Sequence, residues 1–239
     1  MDKIYFITGS KGQLGGKLKE LLPKNLTPKR KDLDLSNFTK LELFFKKNNF
    51  DEVIHCAAKT SPPTVDNNPN EAILDNIVAT SNIAFLCNKF NKRLIYISTD
   101  YVYKGDKGNY NELDALNPIN LYSISKLGGE CAARMTKNHL VLRLSFGPDI
   151  FPYDKAWTDQ YTSRETLTNI SKKIIRCLSF NYNGILNIGG KRVSVFNYAK
   201  KIKKDVEGMS IKEAKFNLPK DTSLDTSLFK LLKNKSHEK

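Results

Sequence analysis

Tyr122 and Lys126 stand four residues apart, and helical spacing would put the phenol and the ammonium on one face. A neighbouring ammonium favours phenolate over phenol, so it lowers the tyrosine pKa from its ordinary value of about 10. A tyrosine in that setting exchanges a proton with a substrate oxygen near neutral pH. Tyr103 and Lys107 repeat the spacing. Gly105 lies between them and Gly108 follows, so that pair reads as a loop whose side chains need not meet. Tyr122 opens a helical stretch instead.

A second feature lies near the start of the chain. Thr8-Gly9-Ser10-Lys11-Gly12-Gln13-Leu14-Gly15 separates a short apolar strand, residues 3–8, from a helical pattern carrying Leu14, Leu18, Leu21 and Leu22 before Pro23. Glycines at such a turn let the backbone approach a pyrophosphate, and the helix N-terminus offers free N–H groups and positive potential. The spacing is GxxGxxG rather than GxGxxG. An acid some way further on would bind ribose hydroxyls and favour NAD, and Asp32 and Asp34 stand there. Lys29-Arg30-Lys31, at the end of a weak second strand, points the other way. The planar donor fork of Arg30 suits a 2′-phosphate, so the expected cofactor is NADP, with NAD as the alternative.

The elements that must position these residues alternate along the chain. Strands are expected at 53–57, 93–98, 140–144 and 185–188. Helices are expected at 37–47, capped by Ser36-Asn37, and at 69–89, 120–137, 165–178 and 194–204. Residues 148–164 read as a loop with several aromatics. The stretch from Ser210 is basic at its end, with fraying from Asn234. Short strands that are apolar throughout, alternating with helices, predict an α/β protein with a doubly wound parallel sheet covered on both faces.

Composition narrows the function. The chain has 239 residues with a formal charge of +14, the lysines spread along its length. It shows no helix-turn-helix or RNA-recognition motif, so nucleic acid is not the expected partner. The four cysteines and three histidines are scattered without CxxC or paired-ligand spacing, which argues against a metal site. No apolar run is long enough to span a bilayer and the start lacks a signal-peptide pattern, so the expectation is a cytoplasmic protein with no membrane partner.

One longer set of residues carries a resemblance. It comprises Gly9–Gly15, Asp32–Ser36, Val53–Ala58 with Thr60 and Val65-Asp66, and Asn76. It continues through Ile97-Ser98-Thr99-Asp100-Tyr101-Val102-Tyr103, Tyr110-Asn111-Glu112, Pro118 and Tyr122–Lys126, then Leu142–Ser145, Asn187–Gly190 and Ser223–Asp225. Together these resemble the extended short-chain dehydrogenase/reductases, most closely the dTDP-4-dehydrorhamnose reductase (RmlD-like) family. The resemblance implies a Rossmann-type domain over 1–145 and a shortened substrate-binding portion over 146–239 that partly returns to the core.

It also implies a reaction. NADPH would deliver hydride to the C4 carbonyl carbon of a keto-deoxy sugar held on a nucleotide, in sugar-nucleotide biosynthesis. By resemblance, Tyr122 supplies the proton, Lys126 holds the nicotinamide ribose and lowers the Tyr122 pKa, and Thr99 hydrogen-bonds the carbonyl oxygen. Gly9, Lys11, Gly12, Gln13, Leu14 and Gly15 cradle the pyrophosphate, and Arg30 meets the 2′-phosphate. Asp34 and Leu35 touch the adenine, while Ala57, Ala58 and Lys59 line the cofactor. Asp100 and Tyr101 contact the sugar. Phe146 replaces a tryptophan that lies near substrate in the family. Lys155, Trp157, Tyr161 and Arg164 form a set able to stack on a base and pair a phosphate. An epimerase or dehydratase of the same superfamily is the alternative, as is a non-catalytic NADP-binding regulatory subunit, a kind of member this family includes. A homodimer is compatible with either.

Overall fold

The computed structural model describes residues 3–236. Six strands form one parallel sheet: β1 (Tyr5–Thr8), β2 (Asn25–Leu26), β3 (Glu52–His55), β4 (Arg93–Ile97), β5 (His139–Leu144) and β6 (Gly184–Ile188). Their order is β6-β5-β4-β3-β1-β2. The main helices are α1 (Gln13–Leu21), α2 (Phe38–Lys47), α3 (Ala79–Lys89), α4 (Leu121–Arg134), α5 (Leu167–Leu178) and α6 (Ser227–Lys235).

Successive strand residues point to opposite faces, so strands apolar at every position demand cover on both. Ile7, Ile54, Ile95 and Leu142 pack on Leu18 of α1, Ile174 of α5 and Phe229 of α6. Their neighbours Phe6, Val53, Leu94 and Val141 pack on Leu41 and Phe45 of α2, Ile83 of α3 and Ala133 of α4. Each fully buried side chain of this size contributes about 1.5–3 kcal/mol of transfer free energy. The two covered faces leave the C-terminal ends of the strands as the open rim. In a doubly wound sheet that rim is where a ligand crevice forms.

The expected strands and the helices at 13–22, 37–47, 120–137 and 165–178 are present with small shifts at their ends. Differences cluster where local chemistry intervenes. The helix expected over 69–89 contains a π-helical turn, Ile73–Val78, and a separate helix, Pro62–Asn67, precedes it. Asn68 ends the first and caps the next, with Pro69 at its first position. The helix expected at 194–204 stops at Lys200. Residues 148–164 are not merely a loop. Lys155–Trp157 pairs parallel with Glu207–Met209, and Tyr161–Thr162 pairs antiparallel with Val193–Ser194. The sequence pattern does not signal α6, and its helix continues through Lys235 where fraying is expected from Asn234; residues 237–239 lie outside the described part.

Candidate active site

A cleft of about 1110 Å³ opens along the rim of β1, β3, β4 and β5. It gathers the glycine loop, Arg30, Asp34, Leu35, Ala57, Ala58 and Lys59 at one end. Thr99, Tyr122 and Lys126 lie along it with Asp100, Tyr101, Phe146, Lys155, Trp157 and Arg164. Tyr161 is the exception. Its ring lies 3.8 Å from the Arg192 guanidinium, and strand alternation turns it away from Gln160, which lines the cleft, and from Thr162, which bonds Asp100.

The glycine loop is compact. Gly9 has φ of 69°, and a Cβ there would sit 2.6 Å from the Ala57 nitrogen. A Cβ on Gly15 would sit 2.4 Å from the Gly9 carbonyl oxygen. The N-cap of α1 is Gly12, which provides no side-chain acceptor, and the first turn holds no acid. The amide donors of that turn therefore face the cleft at the positive end of the helix.

At the other end of this segment Arg30 donates through Nη1 to Asp75 at 2.6 Å. Asp34 accepts from the Ser36 amide and hydroxyl through one oxygen, and these bonds hold its pKa down. Lys59 pairs with Glu71 at 2.5 Å. Its backbone amide donates to Asn76, whose side-chain amide in turn donates to the Lys59 carbonyl and to Ser125. Asn76, buried in the π-helical turn, thus ties the segment after β3 to α4. A π-turn that aims such a side chain is a frequent mark of a functional position.

Tyr122 and Lys126 share α4, which Asn120 caps through the Ser123 amide. Their relation differs from the expectation. Lys126 Nζ donates to the Ile97 carbonyl at 2.7 Å and lies 4.3 Å from the Tyr96 ring centre. Burial lowers its pKa to about 8. The Tyr122 phenol is pushed up by burial, a trend the Thr99 hydroxyl opposes and Asp100 reinforces; Lys126 takes no part. The expected lowering by Lys126 is therefore corrected for this conformation. The reason is direction: Lys126 points beneath the strand ends at Tyr96, not along the helix surface to the phenol. Tyr122 consequently holds its proton at neutral pH.

Thr99 lies two residues past the end of β4, in extended conformation, and caps the short 3-10 turn Asp100–Val102. Its hydroxyl accepts from the Tyr101 amide and donates to Asp100 at 3.2 Å. Asp100 is a junction rather than an open sugar contact. Its other carboxylate oxygen accepts from Thr222 at 2.6 Å and Thr162 at 3.2 Å. Burial outweighs these bonds and raises its pKa to about 6. Tyr101 accepts from Gln160 at 3.0 Å and stands edge-on to Tyr122, ring centres 6.3 Å apart. Arg164 reaches the cleft with Tyr198 beneath it at 5.9 Å; its buried Nε has no hydrogen-bond partner among the described residues.

Gln160, Thr162, Thr222 and Asp75 escape a sequence reading. No local pattern marks them, because each meets its partner across a long stretch of chain. Behind the cleft, Glu130 accepts from Arg143 and from Ser98, the latter at 2.6 Å, and Arg143 donates to Tyr103 at 2.7 Å. Tyr103 is thus structural, and Lys107 instead pairs with Asp114. His55 bridges Thr8 and Thr80 and burial lowers its pKa to about 3, which keeps it neutral. Among the described residues no group of three His, Cys, Asp or Glu could hold a metal ion, and no helix is long and apolar enough to cross a membrane.

Sheet order, glycine loop and rim cleft define a Rossmann-type α/β protein. The chain belongs to the RmlD substrate binding domain family, which matches residues 3–148. A hypothetical dTDP-4-dehydrorhamnose reductase from Sulfolobus tokodaii superimposes with a TM-score of 0.86 at 29% identity, over 96% of this chain and 94% of that one. The dTDP-4-dehydrorhamnose reductase of Bacillus anthracis, in complex with NADP, does so at 0.87 and 25% identity, over 97% and 92%. Methionine adenosyltransferase 2 subunit beta of Bos taurus is 44% identical over 80 residues, which are 34% of this chain and 24% of that protein. A probable low-salt glycan biosynthesis reductase, Agl14 of Haloferax volcanii, is 36% identical over 116 residues, 48% of this chain and 39% of that protein. The chain thus matches less than half the length of these curated relatives.

Proposed function

We propose that the chain is an NADPH-dependent reductase of a nucleotide-linked 4-keto-6-deoxy sugar, of the dTDP-4-dehydrorhamnose reductase kind. The observation that carries this is one cleft holding both a glycine-lined anion cradle and the trio Thr99, Tyr122 and Lys126. Residues 1–145 would serve the cofactor, and 146–239 would serve the substrate while returning β6, α5 and α6 to the Rossmann core. The residues present fit a dinucleotide. The uncapped first turn of α1 would take the pyrophosphate through Gly12–Gly15, Arg30 the 2′-phosphate, Leu35 the adenine, and Ala57, Ala58 and Lys59 the length between. The Bacillus anthracis relative, which is in complex with NADP, supports that choice.

The bound cofactor would supply hydride to the carbonyl carbon. This chain's residues manage the oxygen. Tyr122 keeps its proton at Oη because burial disfavours phenolate, and donates it to the carbonyl oxygen as that oxygen becomes an alkoxide. Thr99 would hydrogen-bond the same oxygen, and Lys126 would hold the ribose hydroxyls of the bound cofactor. Asp100 orients Thr99. Arg164 and Lys155 offer charge to a diphosphate, and Trp157 a face to its base.

Two observations bear on the other readings. Three threonine hydroxyls engage the Asp100 carboxylate. This leaves Tyr122 as the available acid and weighs against a dehydratase. The local similarity to a subunit beta favours a second reading, a dinucleotide-binding regulatory subunit without turnover. Purified protein incubated with NADPH and dTDP-, UDP- or GDP-linked 4-keto-6-deoxy sugars separates them. Reductase activity predicts NADPH oxidation with at least one, and a Tyr122→Phe protein that binds NADPH but does not turn over. Equal turnover by the variant would refute the proton-donor role, and NADPH binding without oxidation of any of these substrates would favour the regulatory subunit.

A further inference from the structure

Arg30, the residue read above as the 2′-phosphate ligand, is already engaged. Its Nη1 donates to Asp75 Oδ2 at 2.6 Å. The two ends of this pair are unequal. The Asp75 side chain is 14% exposed and the Arg30 side chain 65%. Asp75 sits in the π-helical turn directly before Asn76, which is 1% exposed and bonded to both backbone groups of Lys59 and to Ser125. The carboxylate is therefore carried on an anchored turn, while the guanidinium is carried on a solvated stem. Asp34 and Glu71 add negative charge around Arg30. Lys59 neutralises Glu71, and Ser36 engages Asp34, so Asp75 is the acid that takes the arginine directly.

We propose that Asp75 is a specificity-determining residue. It acts as an internal counter-ion for Arg30 that a cofactor 2′-phosphate must displace and a free 2′-hydroxyl need not. This rests on the reading of Arg30 as the 2′-phosphate ligand. An arginine freed of that carboxylate presents its whole donor fork to the phosphate. In the chain as it stands, part of the attraction goes into breaking the existing pair. The preference for NADP over NAD is then weaker than Arg30 alone would give, and the acid on the neighbouring π-turn sets how much weaker.

The test compares affinities for NADP⁺ and NAD⁺, read from quenching of Trp157, the single tryptophan, which lines the cleft. Asp75→Asn should tighten NADP⁺ about three- to tenfold and move NAD⁺ by less than about twofold, the scale of losing one exposed ion pair. Asp75→Ser should repeat the shift, which guards against a local effect of the amide. In an Arg30→Ala background the Asp75→Asn gain should vanish. An unchanged or reduced NADP⁺ preference in both Asp75 variants would overturn the proposal and make Asp75 a positioner of Arg30. A gain that survives in the Arg30→Ala background would also overturn it. If Arg30→Ala weakens NADP⁺ but Asp75→Asn and Asp75→Ser do not tighten it, the counter-ion fails while the Arg30 reading stands. If Arg30→Ala leaves NADP⁺ unchanged, the Arg30 reading itself fails.

Discussion

Replacing Asp100 with asparagine should remove a definite piece of the protein's pH dependence. The carboxyl is 2% exposed, and burial raises its pKa from 3.8 to about 6 against the opposing bond from Thr222, the charge of Arg164 and the bonds from Thr162 and Thr99. The folded chain therefore binds the Asp100 proton more tightly than the unfolded chain does. Stability from this group is full below about pH 4, falls as pH rises through about 6, and is level above that. A displacement of about two pH units at about 1.4 kcal/mol each gives a fall of about 3 kcal/mol. The asparagine side chain cannot ionise, and its amide can donate to the same threonine oxygens, so the fall should disappear from the variant. The assay is urea unfolding of wild type and Asp100→Asn at intervals from pH 4 to 8. The quantity of interest is the difference between the two proteins, in which every other titrating group cancels. That difference should move by about 3 kcal/mol in favour of the variant across the window. A flat difference would refute the claim that burial outweighs three hydroxyl donors and the Arg164 charge.

Other expectations follow from neighbouring groups. Lys126 titrates near pH 8, so NADPH affinity, measured by fluorescence titration, should fall as pH rises past that value; Lys126→Met should bind weakly with no such slope. Glu130→Gln strips the buried Arg143 of its carboxylate partner and should cost about 3–5 kcal/mol in urea unfolding; a loss below about 1 kcal/mol would show the pair to be hydrated. Gly15→Ala places a methyl 2.4 Å from the Gly9 oxygen and should weaken NADPH at least about tenfold by calorimetry, with the far-ultraviolet dichroism unchanged.

What can be read in the sequence is local. The glycine turn, the Thr99 segment and the Tyr122–Lys126 spacing each sit within a few residues of one element boundary, so strand-to-helix grammar places them on the rim. Contacts that close over long separations leave no trace. Thr222 reaches Asp100 across 122 positions, and Asp75 reaches Arg30 across 45. Direction fails where period matters. Nearness groups Tyr161 with Trp157 and Arg164, yet it occupies a two-residue strand whose alternate side chains face oppositely. Spacing gives Lys126 the right face of the right helix. Its long stem then takes the Tyr96 ring and the Ile97 carbonyl, a choice that helical spacing does not encode. α6 goes unseen because its apolar positions, Leu228, Phe229 and Leu232, are interleaved with lysines and preceded by no capping side chain.

The placement of β6 has a consequence for how the protein is divided. The family match ends at residue 148, but β5 is bordered on its outer side by Gly184–Ile188, and α5 and α6 cover one face of the sheet. A chain cut after residue 148 would leave the Leu140–Leu144 stretch of β5 as naked edge, with Leu142 and its neighbours open to solvent on one side. Such an edge recruits other chains. The end of the family match is therefore not a seam along which the protein can be parted, and the shorter piece should precipitate rather than bind nucleotide.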